Sequence, residues 1–299
     1  MSSIRFTLLA LPFFALCTAG AKDNVSRAPI WELKGESATV FLAGSVHLLR
    51  EKDLPLPEGF DEVYEQADRV VFELDFAEMT NPATAMAIQR QGMLPQGESL
   101  SDHFEEETLK KILEFAGDLG LPAAVIERMR PGMIMVTLTS LNATRQGARP
   151  DLGIEMQFFQ KANEDGKPTS GLETMEFQMG VFHRMSTETV TRLIVEMIDE
   201  QDEAEEALDD IIGAWKSGDP KQIEEIIVSE LADEKEVREL LLDERNQNWI
   251  TPIEEALKGD ENVLFIVGAA HLAGEGSVID LLEKKGYEPK HLFFTPALP

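Results

Sequence analysis

His47 ends the stretch FLAGSVH, and His271 ends FIVGAAH. In both, an apolar run leaves through a glycine and reaches an imidazole three residues later. The copies share Phe41, Gly44, His47 and Leu48 against Phe265, Gly268, His271 and Leu272. Glycine lets the backbone turn tightly and lie close to a ligand. Neutral imidazole is a common metal ligand and proton carrier. Packing does not call for the same imidazole at both ends of a chain, so the duplication points to a shared task. A carboxylate belongs with the pair. In RVVFELD, residues 69–75, strand alternation sets Val70, Phe72 and Leu74 on one face and Glu73 on the other, near the strand's carboxyl end. A carboxylate buried there needs a positive or hydrogen-bonding partner. A metal ion satisfies that need, and so does an arginine. Two imidazoles and one carboxylate leave a coordination position for water, as catalytic metal sites do. Zinc, manganese, cobalt and iron(II) all accept such donors.

His103, His183 and His291 lack this context and read as ordinary residues. The chain has no HExxH, no GxSxG and no Walker or dinucleotide-binding glycine pattern. The acidic run DEQDEAEEALDD, residues 199–210, lacks the glycine and alternating oxygen ligands of a calcium loop and reads as a solvated helix face.

The two histidine stretches sit where strands hand over to loops, the place where α/β sheets gather function. Strands are expected at 31–33, 39–43, 69–75, 168–174, 262–268 and 291–295, with residues 22–30 a polar lead-in. Helical spacing covers 60–67, 82–91, 105–116, 122–145, 153–167, 174–184, 187–216, 220–230, 234–258 and 276–285, with Pro131 kinking or dividing the fourth. Strands at both ends and helices between them give an α/β class: one central sheet carrying a large helical insertion, in a single domain over 28–299.

The 299 residues carry 27 Lys and Arg against 55 Asp and Glu, a net charge of −28. That excess disfavours nucleic acid as a partner. Arg5 precedes FTLLALPFFALCTAG, and Ala19-Gly20-Ala21 forms an A-x-A cleavage pattern. Residues 1–21 therefore read as a secretory signal peptide, with an uncut anchor or a lipoprotein signal at Cys17 as the other readings. Cys17 is the only cysteine. Once the leader is removed, disulfides, zinc thiolates and a cysteine nucleophile are excluded. The expectation is an exported protein, periplasmic or extracellular, with no membrane partner after cleavage.

Taken in order, LAGSVHLL, VVFELD, GIEMQFFQKANEDGKPTSGLETMEFQ, DERNQNW and FIVGAAHLAGEGSVIDLLEKKGYEP resemble the TraB/GumN family, whose wider superfamily includes the Tiki-type metalloproteases. The resemblance covers nearly the whole chain after the leader. It implies a mixed sheet built of two pseudo-repeated halves, each giving one GxxH. It implies that His47, His271 and Glu73 lie at a metal-dependent hydrolytic centre, and that Gly44 and Gly268 shape it. Arg245 and Asn246 match the family's polar helix motif, and Glu155, Glu173 and Gln178 fall at its polar positions. On that basis the two histidines would hold a divalent manganese, cobalt or zinc ion. Glu73 would be a ligand or general base, Arg245 would stabilise developing negative charge, and Glu173 would orient a ligand histidine. Arg245 reads equally as an internal salt-bridge partner of Glu73 or Glu155, and Trp249, four residues on, as its stacking partner.

The function expected is an exported metal-dependent hydrolase, a peptidase in kind, cleaving a peptide or another small amide or ester. The alternative is a non-catalytic periplasmic protein of the same fold that binds a peptide, a metal or haem. A third, an accessory role in polysaccharide export, rests on family analogy alone.

Overall fold

A single sheet is built from β1 (Ser26–Lys34), β2 (Thr39–Ser45), β3 (Arg69–Leu74), β4 (Thr169–Glu173), β5 (Val263–Gly268) and β6 (Lys290–Phe294). The computed structural model describes residues 26–79, 81–231 and 234–294. The expected leader, residues 1–21, lies outside them. The strand order is β4-β3-β5-β2-β1-β6. β4, β3, β5 and β2 run parallel, and β1 is antiparallel to both its neighbours. The two histidine-bearing strands are therefore adjacent, with Ser45 level with Gly268.

The longer helices among the described residues are α1 (Phe60–Gln66), α2 (Pro82–Gly92), α3 (Glu106–Asp118), α4 (Pro131–Arg145), α5 (Ile154–Asp165), α6 (Met175–Arg184), α7 (Thr187–Asp199), α8 (Ala204–Ser217), α9 (Glu244–Lys258) and α10 (Val278–Lys284). Both faces of the sheet are covered, as a mostly parallel sheet requires. Phe41, Val70, Phe72 and Ile266 pack against α1, α5 and α8 through Phe60, Phe158 and Trp215. Leu42, Val71, Phe265 and Val267 pack against α9 and α10 through Trp249, Ile253 and Leu282. A third core, with Phe115, Ile134, Val181 and Ile194, holds α3, α4, α6 and α7 together as the helical insertion. No helix among the described residues is long and apolar enough to cross a membrane.

The expected elements are present, with four differences of physical interest. β1 begins at Ser26 inside the expected lead-in, because its ladders to β2 and β6 override Pro29; the β6 register shifts between Arg27 and Trp31, where a bulge accommodates the missing donor. Pro131 divides its segment as expected, leaving Ala123–Ile126 and α4 as separate helices. The 187–216 segment breaks at residues 200–203 into α7 and α8. The 234–258 segment contains a π-turn at Glu239–Asp243, which runs directly into α9. Val71 was expected opposite the core face but is 4% exposed in the second core.

Candidate active site

Four parallel strands deliver the polar residues to one edge. Glu173 ends β4, Glu73 is the penultimate residue of β3, Gly268 ends β5, and Ser45 ends β2. Glu73 shares the face of Val71, which looks toward α9. A single turn, Ala269–Leu272, follows Gly268 and carries His271. The end of the sheet thus meets the first turn of α9, where Arg245 and Asn246 sit.

His271 is 4% exposed. Its Nδ1 lies 2.7 Å from Asn246 Oδ1. Asn246 Nδ2 donates to the Gly276 carbonyl at 2.9 Å, so its oxygen faces the ring and accepts the Nδ1 proton. Nε2 keeps its lone pair and accepts from Arg245 Nη1 at 3.1 Å. The Trp249 ring lies tilted against the imidazole, with 4.3 Å between centroids and 45° between planes. Burial lowers the imidazole to about 3, helped by the positive charges of Arg245 and His47 and opposed by Glu73. His271 is neutral at physiological pH.

Arg245 holds the carboxylates together. Nη2 donates to Glu73 Oε2 at 2.5 Å, and Nε and Nη2 grip Glu173 as a two-pronged pair at 2.8 and 2.9 Å. Trp249 Nε1 also donates to Glu173, at 2.9 Å, while its ring lies 5.0 Å from the guanidinium carbon. The Gly268 amide donates to Glu73 Oε1 at 2.6 Å, and Gln178 reaches Oε2 at 3.4 Å. Burial pushes the Glu73 carboxyl up, but Arg245, His271, His47 and the Gly268 amide outweigh it and bring it to about 2. Glu73 is an anion throughout the neutral range.

His47 approaches from the other strand. Trp215 Nε1 donates to the Gly44 carbonyl at 2.8 Å and fixes the exit from β2. The His47 Nδ1 lies 2.7 Å from Glu155 Oε1, on the first turn of α5; the imidazole side chain is 67% exposed, the carboxylate side chain 6%. Ser45 Oγ donates to the same oxygen at 2.5 Å. A side chain on Gly153 would put its Cβ 2.1 Å from the His47 carbonyl oxygen, so only glycine lets α5 start this close. The attraction of the Glu155 carboxylate raises the imidazole to about 9. His47 is a cation at neutral pH.

The three groups meet around Gly268. A Cβ there would stand 3.2 Å from Glu73 Oε1, 3.5 Å from His271 Cδ2 and 4.0 Å from His47 Nε2. Two cavities open on this point. One, of about 540 Å³, is lined by Ser45, His47, Glu73, Arg245, His271 and an apolar wall. The other, of about 280 Å³, lies on the Glu155 side and shares His47, Glu73 and Gln178 with it.

The donor chemistry suits a divalent ion. Each imidazole is tied at Nδ1 and presents Nε2, and such outer partners are what ligating histidines use. The packing is less accommodating. The described residues contain no group of three His, Cys, Asp or Glu side chains disposed to hold a metal ion. The Arg245 guanidinium bonds the Nε2 of His271 and an oxygen of Glu73, the two atoms an ion would need. His271 Nε2 lies 3.9 Å from Glu73 Oε1.

His47, Glu73, His271, Gly268, Arg245, Asn246, Glu155 and Glu173 all fall in one region, with Gly44 behind it. Arg245 has its salt bridge to Glu73, not to Glu155. Glu173 does not orient a histidine: it binds Arg245 and Trp249. The orienting partners are Asn246 for His271 and Glu155 for His47. His271 is buried. Ser45 was missed as a site residue, although it sits inside GSVH itself. Trp249, expected as the stacking partner of Arg245, has its ring 5.0 Å from the guanidinium carbon and in addition binds Glu173.

An α/β sheet with paired GxxH exits meeting a strand glutamate is the class of protein these features define. The family model of the TraB/PrgY/gumN family matches residues 29–291, and the chain belongs to that family. Among curated proteins it is similar to metalloprotease TIKI2 of Xenopus tropicalis, 26% identical over 86% of this chain and 58% of that protein. It is similar to metalloprotease TIKI1 of Homo sapiens, 24% identical over 94% of this chain and 65% of that protein. It also resembles YbaP of Escherichia coli strain K12, 22% identical over 81% of this chain and 86% of that protein. The chain spans about three fifths of the length of the Xenopus Tiki proteins it matches. No solved structure gives a significant match.

Proposed function

We propose that the protein is an exported metal-dependent hydrolase of the peptidase kind. The observation that carries this reading is the convergence of His47, Glu73 and His271 around Gly268, with both imidazoles tied at Nδ1. The metalloprotease names of the Tiki relatives support it. Manganese, cobalt or zinc would be held by His47, His271 and Glu73, and the ion would polarise a carbonyl and acidify water. The chain's own groups do the rest. Asn246 keeps the His271 proton on Nδ1, which frees Nε2. Glu155 does the same for His47 once that ring loses its second proton. Glu73, ionised and held by the Gly268 amide, serves either as the third ligand or, with the ion on the two imidazoles alone, as the group that accepts a proton from water. Arg245 stays clamped by Glu173, and its Nη1 donor, released from His271 Nε2 when an ion takes that atom, would turn to the oxygen that gains charge as the amide is attacked. Water and a peptide bond give a carboxylate and an amine.

The test uses metal-stripped protein reloaded with manganese, cobalt or zinc and a mixed peptide pool read by mass spectrometry. Cleavage should require metal and fall at least about 100-fold in His47→Ala and in His271→Ala. Equal cleavage by stripped and loaded protein would overturn the reading. A second reading, a peptide- or metal-binding protein without turnover, is favoured by one observation: Arg245 already engages both His271 Nε2 and Glu73. Bound metal without any cleavage would select it. Export follows the leader pattern of residues 1–21, and amino-terminal sequencing of the secreted protein would locate the cut.

A further inference from the structure

We infer that the larger cavity is a pocket for one bulky apolar side chain of a peptide, adjoining the bond to be cleaved; this rests on the peptidase reading of the same site. The cavity, about 540 Å³, has His47, Glu73, Arg245 and His271 at one end. The rest of its wall includes Val136 from α4, Met179 and Phe182 from α6, Ile211 from α8, and Ile227 and Leu241. All six are partly exposed to solvent. Among the described residues, Val136, Met179 and Ile211 belong to none of the three apolar cores, so folding stability does not explain why they are apolar. Ile227 and Leu241 come from the two π-turns, Glu224–Val228 and Glu239–Asp243. Such turns are rare and frequent at functional sites, because the extra residue re-aims side chains.

A concave apolar wall leading to a few convergent polar groups is the usual build of a ligand pocket. An apolar wall gives a charged or hydroxylated side chain no hydrogen bond, so its desolvation goes uncompensated. A leucine or phenylalanine side chain loses water there at no such cost. The pocket is continuous with the reacting groups, so its occupant belongs to the residue beside the attacked amide.

The experiment uses four labelled nonapeptides of alanine and glycine that differ only at the centre, which is Leu, Phe, Ser or Asp. Binding to the metal-stripped full chain is read by fluorescence polarisation. Cleavage by the manganese-loaded chain is read by mass spectrometry. The Leu and Phe peptides should bind at least roughly tenfold tighter than the Ser and Asp peptides. Ile211→Asp should erase the preference without moving the thermal midpoint, and Met179→Trp should weaken the Phe peptide by filling the space. Equal binding of all four peptides would overturn the pocket, as would a preference that both variants leave untouched. A preference without cleavage would sink the hydrolase reading and uphold the pocket.

Discussion

The two GxxH histidines share a motif and differ in nearly everything that decides their chemistry. The His47 side chain is 67% exposed and faces the carboxylate of Glu155; that of His271 is 5% exposed and faces the carboxamide of Asn246. A carboxylate stabilises imidazolium, and burial beside an arginine forbids it. One ring is therefore raised to about 9 and the other lowered to about 3. The motif brings an imidazole to the end of a strand; the Glu155 carboxylate on Nδ1 sets the charge of His47, and burial sets that of His271. His271 is a ready donor, whereas His47 must release a proton before it can bind an ion, which links metal affinity to pH.

Removing Arg245 should produce the largest effect. The guanidinium depresses His271 and neutralises Glu73 and Glu173. Arg245→Met leaves two buried carboxylates without their cation, which costs about 3–5 kcal/mol of stability in a denaturant titration. The His271 titration followed by NMR should move upward, narrowing its gap from His47. Added zinc or manganese should recover part of the lost stability if Glu73 and His271 are ligands. A loss below about 1 kcal/mol would mean that the ion triad is not the keystone of this edge.

Asn246 gives a sharper handle on the contrast. Asn246→Ala strips the acceptor from a buried Nδ1–H and the donor from the Gly276 carbonyl, at about 1–3 kcal/mol. Asn246→Asp instead copies the Glu155 arrangement. Its carboxylate should raise His271 toward the behaviour of His47, seen as an upward-shifted NMR titration. An unchanged His271 in Asn246→Asp would show that burial alone sets its charge and that the Nδ1 partner is incidental.

Much of this edge was legible in the sequence because it depends on local pattern. The apolar runs before Gly44 and Gly268 could hardly be anything but neighbouring buried strands, and alternation in RVVFELD turned Glu73 away from Phe72. The partners were harder to read, because each comes from a remote element. Glu155 reaches His47 only because Gly153 lets α5 start against the His47 carbonyl. Glu173 was given a histidine to orient, but Arg245 lies nearer, its placement set by a π-turn that helical spacing does not reveal. The start of β1 was hidden for a similar reason: ladders to β2 and β6, not local propensity, make residues 26–30 a strand.

The smallest expected effect is the alkaline limb of the pH dependence of stability, and that dependence separates the two rings by sign. His271 stays neutral in the folded protein down to about 3, while the unfolded chain takes up a proton below 6.5. Stability is therefore lost as pH falls from 6.5 toward 3. Glu73, ionised down to about 2 against 4.5 unfolded, adds to that loss below 4.5. His47 behaves oppositely. Its folded imidazolium contributes stability that is complete below 6.5 and disappears as pH rises to about 9. Because that ring is mostly in solvent, the alkaline limb is shallow, about a few tenths of a kcal/mol. The thermal midpoint should thus peak near pH 6.5 and fall more steeply on the acid side. His47→Gln should flatten the alkaline limb and spare the acid one, and His271→Gln should lessen the acid loss between 6.5 and about 3, leaving the Glu73 part below 4.5. If His47→Gln left both limbs unchanged, the ring would not hold a proton through Glu155, and the difference between the two motifs would reduce to burial.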